Sequence, residues 1–149
     1  MEFNRHISRR LHEEHDATLA LWGRVEASLA AGKHDALLLK SAAGALAHEL
    51  DHHFRFEERE LFPRLAAAGE GDIGELLQEE HEVIREAGKR FMALVGEADS
   101  SKNEVRILGL ELAERLVAHV QKEEMSLLPA LDDLVDEAAD GELSAAYAS

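Results

Sequence analysis

Sixty-six residues separate His15 from His81, His53 from His119, Glu57 from Glu123 and Pro63 from Pro129. One offset relating four pairs means that the chain is written twice, so whatever the first half folds into, the second half must fold into as well. The flanks repeat with it. Leu11-His12-Glu13-Glu14-His15 stands against Leu77-Gln78-Glu79-Glu80-His81, and Glu57-Glu58 against Glu123-Glu124.

Each copy reads as a helical hairpin. From about residue 4 to 31, Ile7, Leu11, Thr18, Trp22, Val25 and Leu29 fall at helical steps, and His15 takes the missing place in the stripe. Residues 32–35 break the pattern and offer Asp35 as N-cap of a second helix reaching about Leu65. Its stripe is Leu39, Ala42, Leu46, Leu50, His53, Glu57, Leu61, and Pro63 is expected to kink or end it. After the turn at 69–72, a third helix from about 73 to 95 carries Leu77, His81, Ile84, Gly88 and Phe91. A polar connection follows, and a fourth helix carries Val105, Leu108, Leu112, Leu116, His119, Glu123 and Leu127 before meeting Pro129. Residues 130–138 add a short helix, and 139–149 are expected to be a loosely held tail. The expectation is an all-α, up-down-up-down four-helix bundle over residues 1–138, built from a duplicated helical hairpin.

A chain of 149 residues suits one core, and the scarcity of proline, two in all, suits helices. There is no cysteine, which removes disulfides, thiolate chemistry and cysteine-ligated metals. The 31 acidic against 16 basic residues, a formal charge of −15, argue against nucleic acid or an anionic membrane as partner and favour cations. The charged N-terminal stretch lacks the apolar core of a signal peptide, and the expected location is cytoplasmic.

The histidines in the seams reach one level. His15 lies 17 residues before Gly32 and His53 21 after it, about 26 and 32 Å of helix at about 1.5 Å per residue. His81 and His119 stand at similar depths from the second hairpin turn. Glu57 and Glu123 each follow a histidine by four residues, one helical turn on the same face. A buried layer of four imidazoles and two carboxylates without a metal would leave the carboxylates desolvated, at a cost of several kcal/mol each. Six N and O donors suit two ions better than one. With Glu57 and Glu123 bridging, each ion takes two imidazoles, and an oxo or hydroxo bridge leaves about one open octahedral position per ion. Iron fits this donor set, as do manganese and zinc.

Other histidines read differently. His12 precedes His15 by one turn, but Gln78 fills its place in the repeat, so it reads as a surface residue. His48 and His52 have Glu114 and Ala118 as counterparts and read as outward-facing. The Glu49-x-x-His52 spacing lacks the second copy that a ferritin-like site requires. Glu58 and Glu124, beside the candidate ligands, read either as acceptors for a histidine ring N–H or as a solvated acidic face. Trp22, whose counterpart is Gly88, fills core space.

The order His15, His53-x-x-x-Glu57, His81, His119-x-x-x-Glu123, with Leu61-Phe62-Pro63 closing the first motif, resembles the hemerythrin-like (HHE cation-binding) family over residues 5 to about 135. The resemblance implies a non-haem di-iron centre, with His15 and His53 on one iron, His81 and His119 on the other, and Glu57 and Glu123 bridging. The oxygen-carrying hemerythrins have a second histidine one turn after the helix-three ligand, where this chain has Arg85. They also place a bridging aspartate five residues after the last histidine, where Glu123 stands at four. A more open centre follows, one that binds or reacts with O2, NO or peroxide, and a peroxide- or NO-reactive oxidoreductase is among the activities it allows. Iron storage, delivery or sensing, as in iron-centre repair proteins, uses the same ligands. A metal-free interaction module conflicts with carboxylates in the seam.

Overall fold

Where the apolar stripes predict helices, the computed structural model, which describes residues 2–97 and 99–149, has them. Among the described residues every regular element is helical, and there are five. Helix α1 is His6–Ala30 and α3 is Gly71–Gly96. Helix α2 runs unbroken over 36–67 and α4 over 102–134, and α5 is Glu137–Ala148. Asp35 caps α2 by accepting the Leu38 N–H at 3.1 Å, as its position in the sequence suggests. Ser101 caps α4 in the same way, from the Glu104 N–H. The turns after α1 and α2 put Gly32 at φ 77° and Gly69 at φ 84°, a left-handed conformation that only glycine adopts freely.

Neither proline ends its helix. The segments Glu57–Leu61 and Glu123–Leu127 are single π-helical turns, again 66 residues apart. The residues before the prolines, Phe62 and Leu128, donate to the carbonyls of Glu57 and Glu123, five residues back. In an ideal α-helix the proline ring would collide with the carbonyl four residues earlier. The wider turn relieves that collision and lets each helix continue. A further π-helical stretch, Glu49–Phe54, has no counterpart in the second copy.

Helix α1 packs on α2 and α4, and α3 packs on the same two helices from the other side. Their shared interior divides into two apolar clusters. One contains Trp22, Leu29, Leu46, Phe54, Phe91, Leu112 and Leu116. The other contains Ile7, Leu11, Leu61, Leu65, Leu77, Leu127 and Leu131. Fully burying one such leucine is worth about 1.5–3 kcal/mol, so the two clusters together can hold a polar layer between them in place.

The C-terminal residues differ from the loosely held tail expected over 139–149. They form α5, which packs on α1 and buries Leu143 and Tyr147 in the second cluster. Alanine-rich sequence masked this, because the docking rests on three side chains rather than on a long stripe. The third, Asp140, accepts the N–H groups of His6 and Ile7 at 2.9 Å each. Asp132 accepts those of Asn4 and Arg5. Helix α1 has no side-chain cap of its own, so distant carboxylates satisfy its first amides and complement its dipole.

Candidate metal centre

Between the two apolar clusters, the four helices bring His15, His53, Glu57, His81, His119 and Glu123 into one layer, and none is more than 2% exposed. The donors fall into two overlapping sets, His15, His53, Glu57 and Glu123, and Glu57, His81, His119 and Glu123. Within each set the donor atoms lie within 4.8 Å of one another. Both glutamates belong to both sets.

The four Nε2 atoms point inward. His15 Nε2 lies 2.8 Å from Glu123, and His53 Nε2 lies 3.0 Å from Glu57 and 3.7 Å from Glu123. His81 Nε2 lies 3.1 Å from Glu57 and 3.5 Å from Glu123, and His119 Nε2 lies 2.9 Å from Glu123. Several of these approaches are not hydrogen bonds. Glu57 Oε1, Glu123 Oε2, His81 Nε2 and His119 Nε2 are buried with no hydrogen-bond partner. Orphaned polar atoms are costly inside a protein and rare. Four of them from facing helices converging on one small space fit a cation there, because a metal satisfies lone pairs that no donor reaches.

The outer ring atoms are held as consistently as the inner ones. Each Nδ1 faces a carboxylate: His15 that of Glu124 at 2.6 Å, His81 that of Glu58 at 2.7 Å, His119 that of Glu80 at 2.8 Å and His53 that of Glu14 at 3.3 Å. Glu14 and Glu80 are 66 residues apart, as are Glu58 and Glu124. An Nδ1–H donated to a carboxylate fixes the tautomer of a neutral imidazole and turns its Nε2 lone pair inward. Of the two readings of Glu58 and Glu124, the structure has the acceptor role. Glu14 and Glu80 were not anticipated, although a Glu-His dipeptide repeats in both copies.

The electrostatics follow from this packing. Burial opposes protonation of His15, yet its bonds to Glu123 and Glu124 outweigh burial and lift its pKa to about 9. The same contest raises His81 to about 10 through Glu123, Glu57 and Glu58. It raises His119 to about 9 through Glu123 and Glu80, and it puts His53 well above its usual range. Burial would raise Glu123, but His119, His15 and His53 hold it well below the ordinary carboxylate value. Glu14, against burial, is held near 2 by His53 and Tyr147, and Glu58 near 2 by His81 and Arg85. As protein groups alone, the layer binds protons where a cation would sit, so metal and protons compete for it.

Arg85 and the remaining histidines lie outside the layer. Arg85 makes a two-pronged bond to Glu58, at 2.7 and 2.8 Å, and so supports His81 from behind. His12 bonds Glu124 rather than the interior, and His48 is exposed and stacks on His52. Phe54 lies flat on His81, with ring centres 3.8 Å apart and planes 6° from parallel.

A family model, the hemerythrin HHE cation-binding domain, matches residues 6–131. The chain belongs to that family. Neither the curated proteins nor the solved structures compared with it gave a match. As an HHE domain the protein binds cations, and the buried His and Glu layer is where its structure gathers donors able to hold them. The matched span stops before α5, so Tyr147 lies outside it. Tyr147 donates its hydroxyl to Glu14, and its oxygen lies 3.5 Å from His53 Nδ1. Glu49, set aside with its spacing to His52, is buried and lies 3.4 Å from the same nitrogen.

Proposed function

We propose that the protein is a non-haem di-iron protein whose centre binds or reacts with a small molecule such as O2, NO or peroxide. His15 and His53 would hold one ion, His81 and His119 the other, and Glu57 and Glu123 would bridge the two. The observation that carries this reading is the convergence of orphaned Glu57, Glu123, His81 and His119 atoms on one buried space. Two nitrogens per ion and two shared carboxylates favour iron, with manganese or zinc as other occupants of the same donors. Supporting the four-helix reading, each long helix contacts two neighbours in cyclic order, and short connections after α1, α2 and α3 suit an up-down-up-down course.

When bound, such a pair of ions supplies Lewis-acid and redox chemistry toward a diatomic or peroxide ligand. The chain's own residues prepare the space for it. The outer carboxylates hold the four Nδ1 protons and so keep the imidazoles oriented. Phe54 and Phe62, with ring centres 3.8 and 5.4 Å from that of His81, exclude water beside the layer. No helix among the described residues is long and apolar enough to cross a membrane.

Metal analysis of the purified protein, with ultraviolet–visible spectra before and after O2, NO and peroxide, tests the proposal. Two irons per chain and a spectrum altered by at least one of these ligands are expected. Glu57→Ala and His119→Ala should each lose at least one ion, and exposed His48→Ala should lose none. Equal metal content in all three variants would overturn the assignment.

A further inference from the structure

The internal repeat makes the two ion positions equivalent in their inner ligands, so any difference between them must come from what surrounds the ligands. The surroundings differ in charge and in closure. Behind His81 and His119, the carboxylates of Glu58 and Glu80 are each paired with a fixed cation, Arg85 and Lys122. Behind His15 and His53, Glu124 is held by His12 and Glu14 by the neutral hydroxyl of Tyr147. Arg10 also reaches Glu14, at 3.3 Å from an exposed position. Glu49, whose pKa burial pushes up, adds a second outer carboxyl group at His53, 3.4 Å from Nδ1, where the repeat puts Arg115. Arg115 pairs with Glu111 instead.

Closure points the same way. Tyr147 packs against His52 and Phe56, with ring centres 4.5 and 4.7 Å away, and shuts the flank of His53. At the corresponding place beside His119 stand Ala118 and Lys122, which offer no such surface. There a groove of about 620 Å3 opens between α3 and α4, lined by Glu80, Val83, Ala118, Lys122 and His119 itself. The related groove between α1 and α2 is smaller, about 340 Å3, and reaches Glu14 and Glu49 without reaching His53.

We infer that the two positions are unequal by construction: the ion held by His15 and His53 is retained, and the ion held by His81 and His119 exchanges through the α3–α4 groove. Tyr147 and Glu14 act as positioning residues for the retained ion, and Lys122 weakens the hold on the other by drawing charge from Glu80. This inference rests on the two-ion reading of the centre. An acceptor that keeps its full charge polarises the Nδ1–H more strongly and makes the ring a better ligand, and removing one costs about 10–100-fold in metal affinity.

The test is release kinetics from the full chain loaded with Zn2+ alone and mixed with excess chromophoric chelator. Two phases of one ion each, separated at least tenfold in rate, are expected. Glu14→Gln should accelerate the slow phase by about 10–100-fold and leave the fast one unchanged. Tyr147→Phe, which keeps the ring packing, should accelerate the same phase by less. Glu80→Gln should accelerate only the fast phase, and Lys122→Gln, at a half-exposed position, should slow only that phase. Two ions leaving in one phase would overturn the inference while leaving the two-ion centre intact, as would Glu14→Gln acting on the fast phase alone. Fewer than two ions bound by the unaltered chain would overturn the two-ion reading itself.

Discussion

Each imidazole of the layer has a carboxylate oxygen within 3.3 Å of each ring nitrogen, and this surrounding negative charge determines how the metal-free protein responds to pH. His15, His81 and His119 have pKa values of about 9, 10 and 9 against an ordinary 6.5. A raised value adds stability that is complete below 6.5 and lost as pH climbs through 9 to 10. Glu14 and Glu58, held near 2 against an ordinary 4.5, add stability that is complete above 4.5 and lost as pH falls toward 2. The metal-free chain should therefore be most stable between about pH 4.5 and 6.5, as urea midpoints across pH 2 to 10 would reveal. A maximum above pH 8 would refute the ion-paired layer. Metal affinity should instead rise with pH toward 9, because each imidazole must shed a proton to bind. Glu58→Ala removes the partner of both His81 Nδ1 and Arg85, and should weaken metal binding by about 10–100-fold in a chelator competition. At this scale the inner six residues were legible because they recur in both copies. Tyr147 and Glu49 were not, since one lies outside the repeat and the other is matched by Arg115.

Helical periodicity exposed the four long elements, and the one cap that the sequence suggested, Asp35, is in place. Asp35→Ala should cost about 0.5–2 kcal/mol in a denaturant series, from loss of the bond to the Leu38 N–H. What periodicity could not expose is how the helices pass the prolines. A π-helical turn changes the hydrogen-bond register by one residue, and an apolar stripe does not record that change. Helix α5 was missed for a related reason. Its twelve residues are mostly alanine and acidic, and its hold on the bundle depends on contacts far away in sequence. Leu143→Ala should nevertheless cost about 2–5 kcal/mol, as expected of a leucine buried in a packed cluster. A loss below 0.5 kcal/mol would mean that α5 contributes little to the fold.

For the molecule as a whole, a layer of histidine and glutamate between two apolar clusters couples stability to cation occupancy. Cations that bind only the folded chain add about 2.7 kcal/mol at a free concentration 100 times the dissociation constant. Removing metal with a chelator should accordingly lower the melting temperature by several degrees, and restoring it should reverse the change. The −15 charge should speed cation capture at low salt more than at high salt. The single tryptophan, Trp22, is buried on α1 seven residues beyond His15, roughly 10 Å along the helix. An optical absorber formed in the layer would lie within range to quench its fluorescence by energy transfer. The chain thus carries an intrinsic reporter of its own occupancy, readable in dilute solution without a label.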